Sequence, residues 1–305
     1  MKVEGEPGRL AIKLAKRLFA DEREQTHFLA ALAAGNAARP AALWMDAPPD
    51  SSPFPPLQDP PIWVPEFVTA FEPGARPGQL PEHGAGALYS FDLSSVFSVA
   101  AICELDPRPA DVLDVCAAPG GKALFLWRAL KPRRLIANEA IVSRLGILKE
   151  NLRRCRAEKV EVMRCDPRHL ANILATTQDL VLVDAPCSGQ SLLARGIQND
   201  GCFHPVTIRR NAMRQRRVLA EASKTVRPGG SLFYSTCTFS IEENEAVVEW
   251  FLKSAAGWEP LDLTCLAPHR SIHSTIPTYR LFPQAGFGAG AFVAALRAPQ
   301  AGWRK

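Results

Sequence analysis

The sequence contains no long hydrophobic run. Charged residues are spread through the first 25 positions, and no segment reaches 18 consecutive apolar residues. A signal peptide needs an apolar stretch behind its basic start, and a membrane-spanning helix needs about 20 apolar residues. The sequence therefore predicts a cytoplasmic protein with no membrane partner.

Closely paired cysteines are also missing. None of the eight cysteines stands in a C-x-x-C pair, which argues against zinc-ribbon and thioredoxin-like sites. Cys202 and His204 could be two metal ligands, but no second pair lies at a suitable spacing, so we expect no metal. In a chain of this length the cysteines are expected to be reduced thiols. They are Cys103, Cys116, Cys155, Cys165, Cys187, Cys202, Cys237 and Cys265.

Charge of either sign is not in large excess. The 36 Lys and Arg residues exceed the 31 Asp and Glu residues by a net +5, which permits a nucleic-acid partner without requiring one. The 305 residues, 47% of them hydrophobic, can form one large domain and a small one. A helix is predicted over residues 9–34, and many of the 26 prolines fall in residues 40–83. Short strand-like patches interrupt these prolines at residues 42–45 and 62–64.

From about residue 84 onward, predicted strands alternate with predicted helices. This alternation is typical of a mostly parallel sheet with helices on both faces. We therefore divide the chain into an N-terminal region, 1–83, and an α/β domain, 84–305. The predicted strands are residues 111–115, 135–137, 160–163, 180–183, 231–234 and 291–296, and the main helices are 122–130, 141–152 and 206–226.

Cys237 follows one of these predicted strands directly. Its position corresponds to the carboxyl edge of the sheet, where open α/β sheets place their ligands. Behind it, Ser240 and Glu243 have the spacing of a capping box and predict the start of a helix. A buried structural thiol is the alternative interpretation of Cys237.

A loop rich in small residues follows the first strand of the α/β region. It runs from Asp114 through Gly120 and Gly121 to Lys122, and it opens a helix. Small residues let backbone N–H groups approach a ligand at a helix N-terminus. Cys116 in place of the first glycine and Ala123 after the lysine exclude a Walker A loop. A tight structural turn remains the alternative.

Acidic side chains stand at the ends of three successive strands. Glu139 lies roughly 20 residues beyond the loop, the spacing of an acid that binds ribose hydroxyls. Asp166 could accept a hydrogen bond from an adenine amino group, although a helix N-cap or a surface charge is the alternative for each acid. Asp184 stands three residues before Cys187, so one strand end carries both a carboxylate and a thiol. Together with Cys237, this set suits thiolate attack on a ring carbon with a nearby acid managing protons.

Four ordered motifs carry a resemblance to a known family. The motifs are D-V-C-A-A-P-G-G-K, A-N-E, D-A-P-C-S-G, and Y-S-T-C-T followed by E-E-N-E. Over residues 84–297 the sequence resembles the RNA cytosine-C5 methyltransferases of the Nop2/Sun (RsmB/RsmF) family, and its spacing is nearest to the bacterial 16S rRNA enzymes of the RsmF type.

The resemblance implies a Rossmann-like class I fold that binds S-adenosylmethionine and acts on RNA, with rRNA favoured over tRNA. Nothing in the sequence demands more than a monomer. The resemblance also implies that Glu139 binds the ribose and Asp166 the adenine, while Asp184 lies between cofactor and base. Cys237 would be the nucleophile, and Cys187 would assist release of the methylated product. The methionine end of the cofactor would be held by Cys116, Ala117, Ala118, Pro119, Gly120, Gly121 and Lys122.

Cytosine chemistry is consistent with these roles. Thiolate addition to C6 makes C5 nucleophilic, and an acid near N3 stabilises the charge that develops. A basic run suited to phosphates follows Cys187, with a solvated helix face as the alternative. Its members are Arg195, Arg209, Arg210, Arg214, Arg216, Arg217, Lys224 and Arg227.

Two other functions stay open. A DNA cytosine-C5 methyltransferase would use the cysteine of the P-C motif, Cys187, as its nucleophile. A non-catalytic RNA-binding or ribosome-assembly factor would keep the fold alone. Departures from the family's usual residues at positions 44–46, Ala123 and Gln284 leave the choice of RNA and cytosine undetermined.

Overall fold

The computed structural model describes residues 8–49 and 52–300. Its N-terminal part contains a small antiparallel sheet of three strands, β1 (Pro40–Trp44), β2 (Val68–Ala70) and β3 (Leu88–Asp92). The order is β2-β1-β3, so β1 lies in the middle. The strand predicted at 42–45 is thus found, whereas residues 62–64 form a turn that carries buried Trp63.

A larger sheet of eight strands forms the centre of the molecule. In chain order its strands are β4 (Asp111–Asp114), β5 (Arg134–Asn138), β6 (Val160–Met163), β7 (Gln178–Asp184), β8 (Val226–Thr236), β9 (Glu259–Leu261), β10 (Tyr279–Leu281) and β11 (Ala291–Arg297). The spatial order is β10-β11-β8-β7-β4-β5-β6, and β9 pairs with β11.

Five neighbouring strands run parallel, in the spatial order β6, β5, β4, β7 and β8. The strands β9, β10 and β11 form antiparallel pairs at the other edge. Chain order proceeds from β4 outward through β5 and β6, and then β7 returns to the other side of β4. The reversal opens a crevice at the carboxyl ends of β4 and β7, where doubly wound sheets bind their ligands. The predicted Rossmann-like α/β fold is confirmed.

Helices cover both faces of the large sheet. They are α1 (Arg9–Leu18), α2 (Glu22–Ala34), α3 (Pro81–Gly84), α4 (Leu93–Ala100), α5 (Gly121–Leu130), α6 (Val142–Arg154), α7 (Pro167–Leu174), α8 (Ser191–Ala194), α9 (Pro205–Ser223) and α10 (Glu245–Ser254). Short 3₁₀ turns lie at Pro77–Gln79, Ala101–Glu104, Thr264–His269 and Pro283–Ala285.

Alternating strand residues supply two cores. Leu180 and Leu182 of β7 face one buried cluster, while Val181 and Val183 face the other, and all four are fully buried. Burial on both faces explains why this strand reads as a continuous apolar run. The first cluster also contains Leu43 from β1, so residues on both sides of position 84 share one core.

Two predicted helix boundaries were wrong. The helix predicted over 9–34 is two helices, because Phe19 is extended and the Asp21 carboxylate caps α2 by accepting from the Arg23 N–H. The capping box predicted at Ser240 is absent, and α10 begins only at residue 245. The Ser240 hydroxyl donates to Glu242, and the Glu243 carboxylate accepts from the Ser188 N–H at 2.8 Å.

Candidate active site

A cavity of about 410 Å³ opens at the carboxyl ends of β4, β7 and β8. Its walls are the 116–122 loop, Asp184, Cys237 and residues of β3 and α4. The sheet topology explains this convergence, because the carboxyl ends of adjacent parallel strands meet at one edge.

Two glycines give the 116–122 loop its shape. Gly120 is the N-cap of α5 and has φ of +113°, a conformation that disfavours residues with a Cβ. At Gly121 a Cβ would lie 2.3 Å from Cε2 of Phe91 and 2.8 Å from Cε1 of Tyr89. The loop therefore packs directly against the aromatic side chains of β3.

A chain of polar contacts joins three strand ends across the cavity floor. Lys122 Nζ lies 2.6 Å from Asp184 Oδ2, and the Ser235 hydroxyl donates to Asp184 Oδ1 at 2.8 Å. Neither member of the ion pair is more than a third exposed. These contacts fix the Asp184 carboxylate between the 116–122 loop and β8.

The two cysteines of the strand-end motifs meet. Cys187 Sγ and Cys237 Sγ are 3.2 Å apart. The hydrogen bond from Cys187 lowers the pKa of Cys237, against an opposing effect of burial and of Asp184. The pKa of Cys187 is raised well above its ordinary value by the same hydrogen bond and by burial. Cys237 therefore ionises first, while Cys187 keeps its proton.

Glu139 lies at the end of β5, next to the cavity lining. Its Oε1 accepts from the Ile141 N–H, and Arg144 Nη1 lies 3.3 Å from its Oε2. Although the residue is only 3% exposed, Oε2 accepts no hydrogen bond from the residues that the structure describes. A buried oxygen without a donor fits a ligand hydroxyl at this position.

Asp166 lies farther along the sheet edge and is the N-cap of α7. Its Oδ1 accepts from the Arg168 backbone and side chain, and its Oδ2 pairs with the same guanidinium at 2.8 Å. These bonds lower the pKa of Asp166 to about 2. The capping role, one of the two interpretations of the sequence, is observed, and an adenine would have to share this carboxylate with Arg168.

Several residues of the site were not predicted. Asp114, at the start of the first motif, is fully buried, and burial raises its pKa to about 8, with Asp184 adding to the effect. The serines of the β3–α4 wall, Ser94, Ser95 and Ser98, line the cavity, and so does Arg195, a member of the predicted basic run. The sequence signal for Asp114 was its place in the motif, whereas the Y-S-F-D pattern before α4 gave none.

The described residues contain neither a metal-binding cluster nor a membrane-spanning helix. Within residues 8–49 and 52–300, no cluster of three or more His, Cys, Asp or Glu side chains is arranged to hold a metal ion. Of the helices in the same ranges, none has the length and apolar character needed to cross a membrane.

Residues 102–297 match the family model described as 16S rRNA methyltransferase RsmB/F. The chain belongs to the RsmB/F family. It is 34% identical over 223 residues to ribosomal RNA small subunit methyltransferase F of Klebsiella pneumoniae (strain 342), a match covering 72% of this chain and 47% of that protein. The protein of the same name from Escherichia coli O139:H28 is 35% identical over 227 residues, or 73% and 47% of the two chains. The chain thus spans about half the length of the curated relatives it matches.

Solved structures support the fold. NSun6 from Pyrococcus horikoshii with SFG superposes with a TM-score of 0.80 at 20% identity, covering 96% of this chain and 98% of that one. A methyltransferase homologue from the same organism gives 0.72 at 22% identity, covering 95% and 99%. Membership of the Nop2/Sun (RsmB/RsmF) family, predicted from the four motifs, is confirmed.

Proposed function

We propose that this protein methylates C5 of a cytosine in RNA, with rRNA as the preferred substrate class, through a covalent bond between Cys237 and C6. One observation carries the proposal: the Cys237 thiol lies 3.2 Å from a second thiol and faces a cavity shared with Lys122 and Asp184. Membership of the RsmB/F family supports transfer to RNA. The finer assignment to cytosine C5 depends on the two thiols.

S-adenosylmethionine is the proposed methyl donor. Support comes from the fold neighbour solved with SFG, an analogue of this cofactor, and from the donor set of the cavity. The residues from Cys116 to Lys122 would hold its methionine end. Glu139 Oε2, which accepts no hydrogen bond from the described residues, would hold the ribose, and Asp166 the adenine. The group would supply an electrophilic methyl. Calorimetry tests whether the protein binds S-adenosylmethionine, and lack of binding would favour a non-catalytic RNA-binding factor.

The protein's own residues would activate the base. With Cys187 as the donor of the 3.2 Å contact between the two thiols, the hydrogen bond would favour the Cys237 thiolate that adds to C6. Asp184, held 2.6 Å from Lys122 Nζ, would lie with that lysine beside the N3 edge and stabilise the charge that develops there. A base, such as a water molecule, must then remove the C5 proton; the C5–C6 double bond forms as the C6–S bond breaks, and the Cys187 S–H can donate a hydrogen bond to the departing Cys237 thiolate.

Basic surfaces beside the cavity are proposed to bind RNA. Arg195 is exposed and lines the cavity, and the RNA-binding role of the N-terminal region, 1–83, is proposed on the exposed basic side chains of α1. Not all of the basic run is free to bind RNA, because Arg227, which lies in β8, pairs with Asp179 at 2.7 Å. The exposed members nearer the middle of α9 are Arg209, Arg210, Arg214 and Arg217.

Bisulfite sequencing of total RNA from cells with and without the gene tests the proposal. Loss of one methylated cytosine in the deletion strain, restored by wild type but not by Cys237→Ala, would establish the reaction and its nucleophile. Trapping on RNA containing 5-fluorocytosine separates the two cysteines. Retained trapping by Cys237→Ala together with loss in Cys187→Ala would instead indicate the arrangement of DNA cytosine methyltransferases.

A further inference from the structure

The loop that carries Cys187 is held by a buried carboxylate from another element. Glu243, in the segment between Cys237 and α10, accepts through Oε2 from the Ser188 N–H at 2.8 Å and from Gln215 Nε2 at 2.9 Å. Gln215 Nε2 also donates to the Pro186 carbonyl at 3.0 Å. The backbone is therefore bonded on both sides of Cys187 by one Glu–Gln pair.

This pair is enclosed by protein. Glu243 and Gln215 are both 0% exposed, although one comes from the segment before α10 and the other from the middle of α9. The Tyr234 hydroxyl donates to the Glu243 carbonyl at 2.6 Å, which fixes the segment against β8. Further buried bonds tie the two cysteine loops, including one of 2.8 Å between the hydroxyls of Ser188 and Thr238.

The surroundings of the two thiols differ in charge. Cys237 has Lys122 and Asp184 nearby, a cation and an anion that oppose each other. On the Cys187 side, the hydrogen bond with Cys237 and burial raise the pKa of Cys187, and the Glu243 carboxyl, whose own pKa is raised by burial, adds to the effect. The Tyr234 hydroxyl, which also faces this side, stays protonated because burial raises its pKa. The two thiols are chemically identical and in contact, but their surroundings make them differ in how readily they ionise.

We propose that Glu243, with Gln215, is a positioning residue that holds Cys187 as the protonated member of the thiol pair and so assigns the nucleophile's role to Cys237. The inference deepens the proposed function and rests on it for its catalytic meaning. Glu243 would contact neither RNA nor cofactor and would act through Cys187. Loss of Glu243 should make the two cysteines more alike in their reactivity as thiolates.

Alkylation of the full-length protein by iodoacetamide tests this without RNA or cofactor. Under single-hit conditions over a pH series, mass spectrometry gives the modification rate of each cysteine. In wild type we expect Cys237 to react at lower pH than Cys187. In Glu243→Gln, which keeps the shape but cannot carry a negative charge, the preference for Cys237 near neutral pH should fall about tenfold, because one of the groups that raise the pKa of Cys187 is removed.

The matched control is Glu242→Gln, which removes a neighbouring carboxylate that pairs with exposed Arg17. We expect it to keep the wild-type preference. If Glu243→Gln does not fold, Gln215→Met takes its place, and the same fall in the alkylation preference for Cys237 is expected. An unchanged Cys237 preference in a folded Glu243 or Gln215 variant would overturn the inference.

A second readout distinguishes this inference from the proposed function. With ordinary cytosine RNA and cofactor, Cys187→Ala should accumulate a denaturant-resistant protein–RNA adduct, and Glu243→Gln should accumulate less of it but more than wild type. If wild type forms neither methylated RNA nor adduct, the proposed function fails while the alkylation result still decides the role of Glu243. If wild type methylates RNA and Glu243→Gln behaves as Glu242→Gln in both assays, the inference fails alone.

Discussion

Replacing Gly121 by alanine tests the packing between the 116–122 loop and β3. The new Cβ would lie 2.3 Å from Phe91 and 2.8 Å from Tyr89, far inside van der Waals contact. Overpacking of this kind costs about 1–3 kcal/mol when the surroundings must yield. The rings can yield only by moving, and both line the cavity. We therefore expect lower stability, weaker S-adenosylmethionine binding, or both.

The matched control is Gly146→Ala, in the middle of α6. Nothing lies within 4 Å of a Cβ at Gly146, and the residue is exposed. Because alanine favours a helix over glycine, we expect stabilisation of up to about 1 kcal/mol. Urea unfolding gives the stabilities and calorimetry the affinities. If Gly121→Ala matched wild type in both measurements, the close contact between loop and β3 would be refuted.

Three other changes have defined expectations. Burial raises the pKa of Asp114 to about 8 in the folded protein, so the folded state keeps this proton and stability falls as pH rises from about 4 to 8. Asp114→Asn should flatten this fall in urea unfolding, and wild-type and variant curves of equal slope against pH would contradict the raised pKa. Arg280→Met strands the buried Glu245 carboxylate and should cost about 3–5 kcal/mol, visible as a large drop in melting temperature. Arg195→Ala should reduce the slope of log RNA affinity against log salt concentration by about one, whereas Arg227→Ala should leave it unchanged. Equal slopes for the two variants would show that RNA does not contact Arg195.

The clearest strand predictions are those buried on both faces. Strands β7 and β11 contain continuous apolar runs because helices cover the sheet on each side. The meeting of Cys187 and Cys237 was also foreseeable. Their strands are adjacent and parallel, with Asp184 paired to Ser235, so both thiols leave the sheet at one point.

Predictions from local sequence patterns were wrong where a side chain instead binds a partner that is distant in sequence. Ser240 and Glu243 have capping-box spacing, but the Ser188 N–H and Gln215 engage the carboxylate instead, and neither partner is near in sequence. The cavity wall formed by β3 was missed for a similar reason. Phe91 is buried where the 116–122 loop, distant in sequence, packs against it.

The contacts across the cavity floor link the two halves of the proposed reaction. Lys122 belongs to the loop that would hold the cofactor, Asp184 to β7, and Ser235 to the strand that ends at Cys237. A shift of the loop moves the Lys122 ammonium, one of the groups that lower the pKa of Cys237. Gly121→Ala should therefore also slow alkylation of Cys237 at neutral pH, while Gly146→Ala should not. An unchanged rate in a destabilised Gly121→Ala protein would show that the loop and the nucleophile respond independently.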